Sequence, residues 1–174
     1  MKQVHSIILL VWVVLFVSCN DDNNEILPQG KPTYKIGVIL PLSGPDKSDW
    51  SNATEWAIEN INASGLVADG HIELVWFDSY TTDVVDIASQ ICDDTTICAV
   101  IGPFTSAESF KVANYFIDAK KPLILPTATS EEISSAFSGK KYIWRLAESD
   151  ISQCQTLLII AKNKGAKKVA LLTD

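Results

Sequence analysis

Three short apolar runs in this sequence end in Gly or Pro turns that carry hydroxyl groups. Ser43 follows Tyr34 to Leu40 inside Pro41-Leu42-Ser43-Gly44-Pro45. Thr105 and Ser106 follow Cys98 to Ile101 inside Gly102-Pro103-Phe104-Thr105-Ser106. Thr127 and Thr129 follow Leu123 to Leu125 inside Pro126-Thr127-Ala128-Thr129. A fourth run, Ile72 to Phe77, ends in Asp78-Ser79-Tyr80. Hydroxyls beside backbone N–H groups in Gly and Pro turns suit the holding of a small polar ligand. They do not make a catalytic set. Ser106 is not in a G-x-S-x-G elbow, so a Ser-His-Asp hydrolase fails. The two histidines are His5 and His71, and His71 stands before the Ile72 run, at the opposite end from the turns. No G-x-G-x-x-G or Walker A loop follows any run, so no nucleotide cofactor is expected.

The four cysteines, Cys19, Cys92, Cys98 and Cys154, never approach C-x-x-C spacing, so no metal site is expected. Cys92 and Cys98 have two readings, a disulfide that an exported chain permits or two buried thiols. Cys154 lies on an apolar helical stripe and reads as core. Asn52-Ala53-Thr54 and Asn62-Ala63-Ser64 match the glycosylation sequon, and both read as chance. The net charge is −7 with no Lys/Arg-rich run, so nucleic acid is not an expected partner.

Elements that would position these turns can be read from the apolar pattern. Short apolar runs alternate with helix-period segments, which signals βαβ units and a parallel sheet flanked by helices. Unbroken apolar strands such as Ala99-Val100-Ile101 agree, because parallel strands are covered on both faces. The helices expected are Trp50 to Ala63 with Ala53, Trp56, Ala57 and Ile61 on one face, one marked by Val84, Val85, Ile87, Ala88 and Ile91, and one marked by Phe110, Ala113, Phe116 and Ile117. Thr129-Ser130-Glu131-Glu132 reads as a capping box opening a short helix. Ile143 to Ala147 reads as extended. Asp150 reads as the cap of a helix with Ile151, Cys154, Leu157, Leu158 and Ala161 on one side, and Gly165 ends it. Val169 to Thr173 reads as a last strand. The sequence stops there without a covering helix, so the chain reads as truncated.

In such sheets ligands bind outside the carboxyl ends of the strands, where the hydroxyl turns stand. Ser106 has two readings there. It caps its own helix, or its hydroxyl and the free N–H groups of the helix start hold an anion. Thr129 has the same ambiguity. Trp50 is a core aromatic or a wall of the cleft.

The N-terminus reads as an export signal. Lys2 precedes an apolar run of eleven residues, Ile7 to Val17, whereas a membrane span needs about 20. The run ends in Phe16-Val17-Ser18-Cys19. This resembles the lipobox of bacterial lipoproteins, with Phe16 where leucine is usual, and implies a lipid anchor on Cys19. The alternative is an ordinary signal peptide with an incidental cysteine. Asn20-Asp21-Asp22-Asn23-Asn24-Glu25 and the Pro/Gly residues after it read as a tether. The acidic run also resembles the surface-export signal of Bacteroidetes lipoproteins. The expected organisation is signal peptide 1–18, tether 19–33, first α/β lobe 34–147, and the start of a second lobe at 148–174.

The ordered series YKIGVILPLSG, ATEWAIENINASG, IELVWFDSYTTD, AVIGPFTSAES, KKPLILPTATSEEIS, YIWRLAESD and GAKKVALLTD resembles the type I periplasmic binding proteins. The likeness is to the branched-chain amino acid-binding family of ABC importers, and it covers Tyr34 to Asp174. The resemblance implies two similar α/β lobes closing on a small amino acid-like ligand, a membrane permease as partner, and a lipid-anchored location in the cell envelope. It implies that Ser106, Thr127 and Thr129 hold the ligand's carboxylate and ammonium, with Thr105, Ala128 and Ser43 alongside. Trp50 would line the side-chain pocket, and a second-lobe acid would complete the ammonium site. The loop Pro45 to Trp50 lacks the glycine common in the family, so the pocket differs there. A ligand-sensing or envelope-regulatory lipoprotein of the same fold is the alternative function. An enzyme on a flavodoxin-like scaffold is the third, and it lacks catalytic residues.

Overall fold

The computed structural model describes residues 30, 32–45, 47–68 and 70–170. The expected signal peptide, Cys19 and nearly all of the tether lie outside the described residues. Lys31–Asp174 makes one compact unit. The elements run β1 (Thr33–Leu40), α1 (Lys47–Ser64), β2 (His71–Asp78), α2 (Val84–Asp93), β3 (Ile97–Ile101), α3 (Ser106–Asp118), β4 (Leu123–Leu125), α4 (Glu131–Phe137), β5 (Ile143–Arg145) and α5 (Asp150–Asn163). The five strands form one sheet in the order β2-β1-β3-β4-β5, and every pairing is parallel. The α/β alternation therefore produces the parallel architecture that the apolar pattern predicts.

The core forms where strand residues meet two amphipathic helices. Ile39, Ile97, Val100, Leu123 and Leu125 pack with Val84, Ile87, Ala88 and Ile91 of α2 and Val112 and Phe116 of α3. The α2 residues follow the i, i+3, i+4, i+7 spacing that gives a helix one apolar face. Asp83 starts that helix by accepting a hydrogen bond from Val85 N–H at 2.8 Å. Lys121 closes it, its ammonium donating to the carbonyls of Ile91 and Asp94. A cation there also opposes the negative end of the helix dipole.

Five expectations need correction. In α1 the covered stripe is Thr54, Ala57, Ile58 and Ile61, while Ala53 and Trp56 face solvent; the stripe is rotated by one residue. In α5 no residue is buried, so Cys154 is exposed and not core. Ser149, not Asp150, caps α5, its hydroxyl accepting from Ser152 N–H at 3.2 Å. The extended run after Tyr142 pairs only over Ile143–Arg145. Val169 and Ala170 form no strand among the described residues, and the rest of the expected last strand lies outside them.

The cysteines take neither of their two expected forms. Cys92 and Cys98 are free thiols. The Cys92 sulfur, on α2, lies 3.5 Å from the Tyr115 carbonyl of α3. The Cys98 sulfur, on β3, lies 3.2 Å from the Lys35 carbonyl of β1. The two side chains serve different neighbours and Cys98 is exposed, so they are neither a disulfide nor a buried pair.

Candidate functional site at the carboxyl edge of the sheet

The loops after β1, β2, β3 and β4 meet at the carboxyl edge. The turn after β3 depends on Gly102. Its φ is +100°, and a Cβ there would fall onto the Ile39 carbonyl oxygen. Only glycine fits both conditions. The turn delivers Thr105 in extended conformation (φ −102°, ψ 155°) as the N-cap of α3. Its hydroxyl accepts from Glu108 N–H at 3.2 Å, and Glu108 reaches back to Thr105 N–H at 3.1 Å. This is a reciprocal capping box. The cap of α3 is therefore Thr105 and not Ser106, which corrects one of the two readings of Ser106.

Ser106, relieved of capping, faces the next loop. Its hydroxyl oxygen accepts from Ser130 N–H at 3.2 Å, and among the described residues its own hydrogen has no protein acceptor. The N–H groups of Ser106 and Ala107 lie in the first helical turn, where no helical carbonyl can take them. Thr127 makes the reverse link, donating its hydroxyl to the Phe104 carbonyl. Ala128 is fully buried in the core, so it presents no accessible surface at the edge. Ser130, not Thr129, caps α4, accepting from Glu132 N–H at 3.3 Å. That corrects the capping box expected at Thr129, whose hydroxyl is free of protein partners among the described residues. Ser106, Thr127 and Thr129 thus lie on two loops that are joined side chain to backbone.

The other half of the edge is apolar and anchored by one acid. Trp50 is 42% exposed and meets Phe104 edge-on, with ring centroids 5.2 Å apart at 75°. Together with Leu40, Pro41, Gly44, Pro45 and Tyr80 they line a cavity of about 80 Å³. Trp50 lines this cavity and is not a core residue. Ser43 serves elsewhere: its hydroxyl donates to Asp78 at 2.6 Å and its N–H to the same carboxylate at 3.3 Å. Tyr80 N–H at 3.0 Å and the Thr81 hydroxyl at 3.1 Å complete the carboxylate's shell. The Ser43 hydroxyl above all, against a partial burial cost, lowers the Asp78 pKa to about 2. Asp78 thereby holds the loops after β1 and β2 around the aromatic cavity.

Asp78, Tyr80, Phe104 and Arg145 were not among the expected site residues. An acid at the end of a strand and an aromatic inside the Gly102–Ser106 turn were visible signals for two of them. Arg145, which bonds the β4–α4 loop, has no local signal. A larger cleft of about 500 Å³ runs along α4 and β5, lined by residues such as Ile133, Phe137, Ile143 and Leu146. It holds none of the Ser43, Ser106, Thr127 or Thr129 hydroxyls, so it is set apart from the site. Among the described residues no cluster of His, Cys, Asp or Glu could hold a metal ion. None of their helices is long and apolar enough to cross a membrane.

Solved structures share this fold. An ABC transporter substrate-binding protein from Desulfitobacterium hafniense, in complex with Leu, is 26% identical with a TM-score of 0.71, over 77% of this chain and 40% of its own. The branched-chain amino acid transporter substrate-binding protein LivJ from Streptococcus pneumoniae, in complex with isoleucine, is 25% identical with a TM-score of 0.59, over 68% of this chain and 35% of its own. A leucine-binding protein from Thermotoga maritima is 25% identical with a TM-score of 0.62, over 76% of this chain and 38% of its own. The chain thus spans about 40% or less of the length of these structures. No curated protein matches the sequence. The profile of the family described as "Periplasmic binding protein" matches residues 33–174, nearly the whole of the parallel α/β unit, and the chain belongs to that family.

Proposed function

We propose that this chain forms the first lobe of an extracytoplasmic solute-binding lipoprotein, which captures an amino acid or related small carboxylate for an ABC importer and catalyses no reaction. One observation supports the reading: among the described residues the hydrogens of the Ser106 and Thr129 hydroxyls and the N–H groups of Ser106 and Ala107 at the start of α3 share one edge of the sheet without protein acceptors. A carboxylate is stabilised at a helix N-terminus by those N–H groups and the dipole. The threonine loop supplies further polar groups for the ligand's ammonium. The aromatic cavity beside them suits an apolar side chain. Similarity to leucine- and isoleucine-bound transporter proteins supports both the ligand class and the importer. Residues 148–174 are read as the start of a second lobe that closes over this edge. Cys19 is read as the lipid anchor, with 1–18 the cleaved signal and 19–33 the tether to the envelope.

A thermal-shift screen of the mature protein against amino acids and small carboxylates tests the reading, since a ligand bound only by the folded state raises stability by mass action. L-leucine or a related amino acid should raise the melting temperature in a concentration-dependent way. If only non-carboxylate solutes do so, the ligand class is wrong.

A further inference from the structure

The loop Pro126–Ser130 carries two of the hydroxyls assigned above, yet it belongs to neither β4 nor α4. A binding loop must be held to within about 0.5 Å of its working geometry by groups outside it. Arg145 is placed to do this. It is the last residue of β5, in register with Leu125, from which the loop departs. Its side chain is only 15% exposed. One guanidinium nitrogen donates to the Thr129 carbonyl at 2.9 Å and the Ser130 carbonyl at 3.4 Å. The other donates to the Ser134 hydroxyl at 2.7 Å and lies 3.8 Å from the Glu131 carboxylate. The Thr129 carbonyl also accepts from Asp150 N–H at 3.0 Å. One carbonyl of the loop is therefore shared between the end of β5 and the first residue of α5.

We propose that Arg145 is a positioning residue for the ligand loop, and that the Thr129 carbonyl joins that loop to the start of α5. The planar, permanently charged fork of arginine suits this role, because its two terminal nitrogens reach the two loop carbonyls and the Ser134 hydroxyl from separate, fixed positions, whereas an ammonium presents its donors from a single point. Arg145 acts through Thr129 and Ser130 and need not touch the ligand. Its influence extends to Ser106, whose hydroxyl takes the Ser130 N–H. The proposal rests on the ligand-site reading only for its effect on affinity.

Amide hydrogen exchange on the unliganded protein and titration with L-leucine, applied to Arg145→Gln, Arg145→Lys and Ser134→Ala, test it. In Arg145→Gln the amides of Ser130 and Asp150 should exchange at least tenfold faster, while those of Val38, Val100 and Leu123 keep their rates. The Kd for L-leucine should rise at least tenfold. Lysine should give a smaller loss at the same two amides. Ser134→Ala, which spares the bonds to Thr129 and Ser130, should leave them within threefold of the original. Unchanged exchange at Ser130 and Asp150 in Arg145→Gln overturns the proposal, and so does equal acceleration across the whole sheet. If the glutamine variant does not fold, lysine decides by the same two amides: faster exchange there alone supports the proposal, and no change overturns it. Localised acceleration in a protein that binds no L-leucine supports the positioning role and contradicts the ligand reading.

Discussion

The Ser106 hydroxyl accepts the backbone N–H of Ser130 across 3.2 Å, so the loops after β3 and β4 are tied at the point where the ligand is proposed to sit. The tie runs through a side chain that has no capping duty. Stability and affinity can therefore be separated at neighbouring residues.

Thr105→Ala removes the N-cap of α3 and should cost about 1 kcal/mol of stability, with a range of roughly 0.5–2. Ser106→Ala removes one net hydrogen bond, about 0.5–1.5 kcal/mol. Its effect on ligand affinity should be the larger one, a tenfold or greater rise in Kd for a carboxylate ligand. Urea melts and calorimetric titration of both variants check this. A Ser106→Ala protein with normal affinity would remove Ser106 from the site.

Gly102→Ala should be among the most damaging single substitutions in the sheet. A non-glycine residue at positive φ costs about 1–3 kcal/mol, and here the new Cβ also meets the Ile39 carbonyl. A loss of at least about 2 kcal/mol is expected from those two effects together. Urea unfolding measures it, and a loss below half that amount would mean the turn is built differently.

Asp78 links pH to the aromatic half of the edge. Its pKa is lowered to about 2 by the Ser43 hydroxyl first, then by the N–H groups of Tyr80 and Ser43 and the Thr81 hydroxyl. A carboxylate with a depressed folded-state pKa stabilises the fold above its unfolded value, about 3.9. That contribution is fully present at neutral pH and is lost as pH falls from about 4 toward 2. Asp78→Asn should flatten the acid limb of a stability–pH curve in that window. An unchanged acid limb would show that the carboxylate is not held by these donors.

Cys19 is the proposed anchor, read from the apolar run Ile7 to Val17 that leads into Ser18-Cys19. Cys19→Ala should move the protein from the membrane fraction to the soluble fraction of a cell lysate. A variant that stays with the membranes would show that something else anchors it.

Much of the sheet could be read from apolar spacing. Leu123-Ile124-Leu125 is β4 as expected, and of the five residues that mark α2, Val84, Ile87, Ala88 and Ile91 are buried while Val85 is only partly so. Placement of Ser106 and Thr127 on neighbouring loops followed from the α/β alternation alone. What failed was the choice between adjacent capping side chains. Thr105 or Ser106, Thr129 or Ser130, and Ser149 or Asp150 differ by one residue, and the cap is whichever sits where the chain leaves extended geometry. The signature Thr105-Ser106-Ala107-Glu108 was present and identifies the first of these. Arg145 was illegible for a different reason: its bonds to Thr129 and Ser130 reach across 15 or 16 residues to carbonyls, which have no residue-type signal. Cys154 failed because an apolar stripe shows that a helix can be buried, not that α5 is.

The central claim is that an amino acid-like ligand binds at the carboxyl edge of this sheet, on the loops after β3 and β4. Amide chemical-shift mapping of the ¹⁵N-labelled protein during titration with L-leucine tests it most directly. Saturable shifts should concentrate at Ser106, Ala107, Thr127 and Thr129, with smaller ones near Trp50. Saturable shifts at the opposite edge, around Lys35, His71 and Cys98, with the two loops unmoved, would contradict it.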